Sequence, residues 1–259
     1  MRTLWVFLWA FWVILSCSDA AAQYKTGLVM PKNWSKNVFF AAPPSILVLP
    51  PSFDWREKVT LSPIRNQGSC GSCWAFSLTA TLSDTMAVKN KGFYNMSQQF
   101  LVSCNKKYGF DYGCQGGFLD AADMFARPGG VRETLYPYTG RDSACKTGLQ
   151  YQFKIRSWAF IPGGTENSPP PVEAIKAAVY QYGPVSVGVM ADNNMQSYKS
   201  GIFSKCAKGQ LNHAVNIVGW GPGYWVVRNS WGTQFGEKGY IRMKWGCNGI
   251  GTAAMYMML

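Results

Sequence analysis

Between Cys73 and Gly183 several segments of this chain have apolar residues at helical spacing. From Val185 onward they fall into short runs rich in β-branched and aromatic residues, separated by glycine. Helical segments followed by strands predict an α+β protein, with a helical lobe facing a β lobe and a cleft between them. In the first half, residues 98–103 read as a helix capped by Ser97, and residues 119–127 as another that stops at Pro128-Gly129-Gly130. Val172, Ile175, Val179 and Tyr182 share one face of a further helix, which follows Pro169-Pro170-Pro171 and ends at Gly183-Pro184. The predicted strands are residues 185–190, 214–220, 224–228 and 239–244, with Gly221-Pro222-Gly223 as a tight hairpin connection. At 259 residues, 47% hydrophobic, the chain can bury a sizeable core as one two-lobed domain.

The most informative local stretch is Gln67-Gly68-Ser69-Cys70-Gly71-Ser72-Cys73-Trp74-Ala75-Phe76. Phe76, Leu78, Ala80, Leu82, Met86 and Ala87 continue it at helical spacing, which puts Cys73 at a helix N-terminus. Unsatisfied N–H groups and the helix dipole favour negative charge there, so a thiol in that first turn is biased toward thiolate. His213 is the single histidine of the chain and heads an apolar strand. Two other uses of these residues are weaker. A dithiol redox site at Cys70 and Cys73 lacks a βαβ pattern around it, and a zinc site needs well-spaced ligand pairs where the chain has one close pair and one histidine.

Cys70-Gly71-Ser72-Cys73-Trp74 resembles the nucleophile signature of papain-like cysteine proteases, the family of the cathepsins. His213 and Asn229 follow Cys73 by 140 and 156 residues, near that family's spacing. Pro51-Ser52-Phe53-Asp54-Trp55-Arg56 is similar to the family's mature start, and residues 97–104 are similar to it as well. The resemblance covers about residues 49–259 and is to cathepsin L-like peptidases. It implies a papain-like two-lobed α+β fold, with a helical N-terminal lobe, a β-barrel-like C-terminal lobe and the active-site cleft between them. It implies catalytic roles for Cys73 as nucleophile, His213 as acid and base, Asn229 as the group orienting the ring, and Gln67 with the Cys73 N–H as oxyanion donors. Gly116 and Gly117 leave a bare backbone that an extended peptide can approach, although by themselves they also read as a plain turn. By resemblance, Phe118, Leu119, Gly188, Leu211 and Ala253 line the main side-chain pocket, and Asn212 and Trp231 complete the substrate site. That pocket has no acid, so the expected preference is for an apolar residue at P2. Without the histidine-bearing loop of cathepsin B-like relatives, the expected activity is that of an endopeptidase, bell-shaped in pH from acidic to neutral. The alternative is a catalytically silent relative acting as a binding or structural protein; such relatives generally lose the nucleophile or the base, which this chain retains.

The ends and the cysteines complete the reading. Residues 1–22 have the charged, apolar and small-residue order of a secretory signal peptide. Cys17 within Ile14-Leu15-Ser16-Cys17 admits a lipoprotein reading instead. Residues 23–48 form a short leader, cleaved or left as a flexible arm, where relatives carry a longer helical propeptide. Asn33-Trp34-Ser35 and Asn95-Met96-Ser97 are glycosylation sequons. Of eight cysteines, Cys17 leaves with the signal and Cys73 stays free, so six remain for three disulfides with fifteen possible pairings. The resemblance implies Cys70–Cys114, Cys104–Cys145 and Cys206–Cys247. A net charge of +12 invites a nucleic-acid partner, but the lysines and arginines are scattered, with no run longer than Lys106-Lys107. The expected partners are protein or peptide substrates and protein inhibitors, without nucleic acid, metal, cofactor or transmembrane segment. The expected state is a monomer in the secretory pathway, bound for an extracellular, lysosome-like or periplasmic location.

Overall fold

The computed structural model describes residues 23–36, 38–45 and 48–259, so the expected signal sequence and Cys17 lie outside the described residues. In chain order the regular elements are β1 (Phe53–Asp54), α1 (Cys73–Val88), α2 (Gln98–Cys104), α3 (Asp123–Ala126), β2 (Ser157–Phe160) and α4 (Val172–Tyr182). They continue with β3 (Val185–Val189), α5 (Asn193–Gln196), β4 (Ile202–Phe203), β5 (His213–Gly221), β6 (Tyr224–Arg228), β7 (Tyr240–Lys244) and β8 (Thr252–Met258).

The strands form one sheet in the order β2-β8-β3-β5-β6-β7-β4, with β1 paired to β5 off this path. The sheet does not close on itself, so the expected barrel-like lobe is an open mixed sheet. Its β5–β6 hairpin turns through Pro222 and Gly223, whose φ of +82° suits glycine at the third position of a type II turn. The helix expected over residues 119–127 is split: Leu119–Ala122 is a 3₁₀ turn, and only Asp123–Ala126 is α-helical. No side chain caps the start of this segment, and the Asp120 carboxylate accepts a hydrogen bond from the Tyr112 hydroxyl at 3.0 Å.

Two apolar cores lie on either side of β8. Met255 and Met257 pack with Trp74, Leu78, Phe100 and Phe125 on the helical side, whereas Ala254 and Tyr256 pack with Val185, Ile217 and Trp225 on the other. α1 runs through the junction, and 13 of its 16 residues are buried. A helix buried all round must satisfy its polar side chains internally. The Thr79 and Ser83 hydroxyls return to carbonyls one turn back, Ser77 donates to Val215 O at 2.9 Å, and Thr81 meets Ser186 at 2.8 Å. Asp84 forms a buried ion pair with Arg228, and the Arg228 guanidinium also donates to the Ser62 hydroxyl. This polar seam fixes α1 against β3, β5 and β6, and therefore fixes Cys73 at its head against the start of β5 and the end of β6. Removing one partner of a buried pair strands the other charge. Asp84→Ala should therefore lower stability by about 3–5 kcal/mol, read as a fall in denaturant midpoint; an unchanged midpoint would refute the assignment.

The disulfides are Cys70–Cys114, Cys104–Cys145 and Cys206–Cys247, the pairings that the resemblance implies. Each closes a separation of 41 or 44 residues. In the chain-entropy account, loops of that size contribute about 4 kcal/mol each. Among the described residues no helix is long and apolar enough to cross a membrane.

Candidate active site

Cys73 begins α1, and no side chain caps the N-terminus there; Ala75 and Phe76 N–H donate to Ser72 O, which leaves the Cys73 and Trp74 N–H groups to a ligand or to the thiol itself. Ala214 N–H donates to Sγ at 3.4 Å, and the backbone N–H groups of Trp74, Gly27 and Cys73 favour the ionised thiol more weakly. Ala214 follows His213 at the start of β5. His213 Nε2 lies 2.8 Å from Asn229 Oδ1, which also accepts the Ser230 N–H at 2.8 Å. The Trp231 indole stacks with the imidazole at 4.5 Å between centroids and is itself buried. Gln67 is anchored beside them: its N–H donates to Ser230 O, its Oε1 accepts the Ser230 hydroxyl at 2.7 Å, and its Nε2 donates to Cys70 O at 2.9 Å. The fold thus gathers Gln67, Cys73, His213, Asn229 and Trp231 from four separate segments.

The expected bias of Cys73 toward thiolate is overturned here. A hydrogen bond between Cys73 Sγ and His213 does not form, and Nδ1 of the ring has no partner. Both groups are 0% exposed. Burial pushes the thiol up to about 12 against the pull of four N–H donors, and burial pushes the imidazole down to about 4 against its bond to Asn229. Desolvation outweighs the helix N-terminus, and the pair is neutral.

The cover is the chain's own leader, which is not a free arm. Gly27 and Leu28 N–H groups both donate to Asn212 O, at 3.0 and 2.9 Å. Val29 N–H donates to Gly117 O and Gly117 N–H to Gly27 O, making a parallel bridge between Leu28 and Gly117. Gly27 crosses so near α1 that a Cβ there would lie 2.0 Å from Gly71 O, leaving room for glycine alone. Leu28 is 4% exposed, and its Cδ2 would lie 3.1 Å from a Cβ placed on Gly188. Phe118, Leu119, Leu211 and Ala253 belong to the same apolar cluster as Leu28. Gly116 backs against Val29, whose Cγ2 would lie 2.6 Å from a Cβ there. At the other end of the cleft, Trp231 Nε1 donates to Lys25 O at 2.9 Å, and the Tyr24 ring stacks with the indole at 4.7 Å. Beyond the cleft, Trp34 is buried against Phe40, Phe118 and Phe160. Tyr24, Gly27, Leu28 and Trp34 were not singled out as site residues by sequence reasoning. The available signal was a glycine followed by a leucine and, six residues on, a tryptophan, in a segment without periodicity.

This buried thiol and imidazole at the meeting of a helix N-terminus and a strand start, in a cleft between two cores, define a cysteine-protease architecture. The papain family cysteine protease profile matches residues 49–258, and the chain belongs to that family. It is similar to cathepsin S of Bos taurus, with 38% identity over 87% of this chain and 69% of the relative. It is also similar to procathepsin L of Rattus norvegicus, with 36% identity over 82% of this chain and 66% of that relative. Among solved structures, the digestive procathepsin L2 proteinase of Tenebrio molitor superposes with a TM-score of 0.79 at 32% identity, covering 91% of this chain and 78% of that one. The Carica candamarcensis cysteine protease CMS1MS2, solved in complex with E-64, superposes with a TM-score of 0.71 at 33% identity, covering 81% of this chain and 99% of that one.

Proposed function

We propose that this chain is a latent cysteine endopeptidase, which cuts peptide bonds at Cys73 through an acyl-enzyme once its leader leaves the cleft. The observation that carries this reading is one juxtaposition: a thiol at the head of α1 that accepts the Ala214 N–H at 3.4 Å, next in the chain to an imidazole held by Asn229 at 2.8 Å. With residues 24–30 removed, water reaches the pair and the desolvation opposing both charges falls. The Cys73 proton then passes to His213 Nδ1, the nitrogen left without a partner in the closed state. The thiolate attacks the substrate carbonyl carbon, and the oxygen's negative charge is met by Gln67 Nε2 and the Cys73 N–H. His213 gives its proton to the leaving amine, the C–N bond breaks, and the same imidazole takes a proton from the water that hydrolyses the thioester. Asn229 Oδ1 accepts from Nε2–H throughout, which fixes the tautomer and the ring plane.

The seated leader is read as an inhibitor that blocks the cleft, because Gly27, Leu28 and Val29 are held through their backbones by Asn212 and Gly117. Leu28 packed beside Gly188 supports the reading of that pocket as the one that takes the P2 side chain. A peptide with Leu or Phe at P2 should be cleaved at least about tenfold faster, by kcat/KM, than its Arg counterpart, because the pocket supplies no partner for a buried guanidinium. Faster cleavage of the Arg peptide would overturn the pocket assignment. Disulfides of this number fit an oxidising compartment of the secretory pathway.

The deciding experiment treats the chain, cut within residues 31–33, with a thiol-directed peptide epoxide and maps the adduct. One equivalent on Cys73, with internal cleavage of an end-blocked peptide, supports the reading. An inert Cys73 after cutting would favour the silent binding protein, and release of dipeptides from a free C-terminus as the main activity would exclude an endopeptidase.

A further inference from the structure

The two oxyanion donors come from different segments, Gln67 from a loop and the Cys73 N–H from the head of α1. Their separation must hold to a fraction of an ångström for both to meet one oxygen. One side chain outside the catalytic set ties the two segments together. The Tyr138 hydroxyl donates to Gln67 O at 2.9 Å and lies 2.7 Å from the hydroxyl of Ser72, which precedes Cys73. The phenol has one proton and gives it to Gln67, so the Ser72 hydroxyl donates to the Tyr138 oxygen. Gln67 and Ser72 are each 0% exposed. The Tyr138 ring meets Phe76 of the first turn of α1 edge-on at 4.8 Å, and its backbone N–H is held by Glu133 Oε1 at 3.0 Å. Burial raises the phenol's pKa, with the Ser72 bond opposing it, so the hydroxyl stays a donor.

We propose that Tyr138 is a positioning residue for the oxyanion hole, setting the Gln67 segment against the head of α1 through its hydroxyl. The inference rests on the peptidase reading above, because only an enzyme that builds charge on a carbonyl oxygen uses this spacing. Tyr138→Phe deletes the bridge and keeps the ring on Phe76. In the full chain, activated alongside wild type, it should lower kcat about tenfold with KM within twofold. Affinity for a peptide aldehyde, which forms a tetrahedral adduct on Cys73, should fall in the same proportion. Alkylation of Cys73 by iodoacetamide, which develops no oxyanion, should keep its rate and pH profile.

A fall in alkylation rate matching the fall in kcat would overturn the inference, since Tyr138 would then act on the thiol. Unchanged kcat and aldehyde affinity would overturn it equally. Should Tyr138→Phe fail to fold, Ser72→Ala removes the other half of the bridge and must give the same pattern, with turnover and aldehyde affinity reduced and alkylation intact. A wild type that neither hydrolyses peptides nor reacts at Cys73 refutes the peptidase reading itself, whereas an active wild type matched by its variants refutes only the role of Tyr138.

Discussion

Cutting the chain within residues 31–33 should raise hydrolysis of an extended peptide at least about a hundredfold. A tethered segment acts at an effective concentration of about a millimolar, so even an intrinsic Kd near 10 µM leaves the cleft free only about one part in a hundred. The contacts support at least that affinity: Leu28 is buried, Gly27, Leu28 and Val29 are bonded through the backbone to Asn212 and Gly117, and Tyr24 stacks with Trp231. Lys32 and Asn33 are exposed, so a specific protease site placed there is accessible without unfolding. A second route needs no cut. Gly27→Val would drive a Cβ to about the 2.0 Å overlap with Gly71 O, so the intact variant should show much of the activity of the cut form. The thiol should respond in parallel. In the closed chain, burial holds Cys73 near 12 and His213 near 4, so between those values both are neutral and iodoacetamide reacts only as the pH climbs toward the upper one. Opening the cleft reverses both shifts, lowering the thiol and raising the imidazole, so alkylation should become fast at acidic to neutral pH. Equal hydrolysis rates for intact and cut protein would remove the leader from any regulatory role.

The parts of this molecule that could be read from sequence are those whose residues announce a local geometry. Cys73 heads α1 because the apolar spacing begins there, and Pro222-Gly223 turns the β5–β6 hairpin because the pair suits it. The strand β8 carries no such mark. Its alanines and methionines dilute the strand signal of Thr252 and Tyr256, and because Met255 faces one core and Tyr256 the other, no polar alternation survives. Its partner β2, Ser-Trp-Ala-Phe, carries two aromatic strand formers but spans only four residues. The barrel-like character expected of the second lobe from family likeness finds no support in the strand order, since the sheet does not close. The leader escaped for a different reason. It is seated by backbone hydrogen bonds at Gly27, Leu28 and Val29, and backbone bonds leave little trace in side-chain pattern. That omission carried into the chemistry, because the dipole argument for a thiolate holds only while water can reach the sulfur.

In the activated protein, His213→Ala should reduce peptide hydrolysis near pH 6 by a factor on the order of 10⁴. The imidazole has two duties that no neighbour can assume. As imidazolium it holds Cys73 ionised, and as an acid it protonates the leaving amine. Without it the thiol's pKa returns toward the ordinary range of about 8.5, so at pH 6 the thiolate fraction falls to well under one per cent. Labelling by a peptide epoxide should therefore drop steeply at pH 6 and recover in part by pH 9, as the thiol ionises unaided. Hydrolysis should recover far less, because the proton donor is still missing. Asn229→Ala separates orientation from chemistry. It removes the acceptor 2.8 Å from Nε2 while leaving the ring stacked on Trp231, so its loss should be smaller and its pH optimum still acidic to neutral. The chain has a single histidine. If His213→Ala kept wild-type hydrolysis at pH 6, no other imidazole could supply the proton, and the peptide chemistry would have to run through a different set of groups.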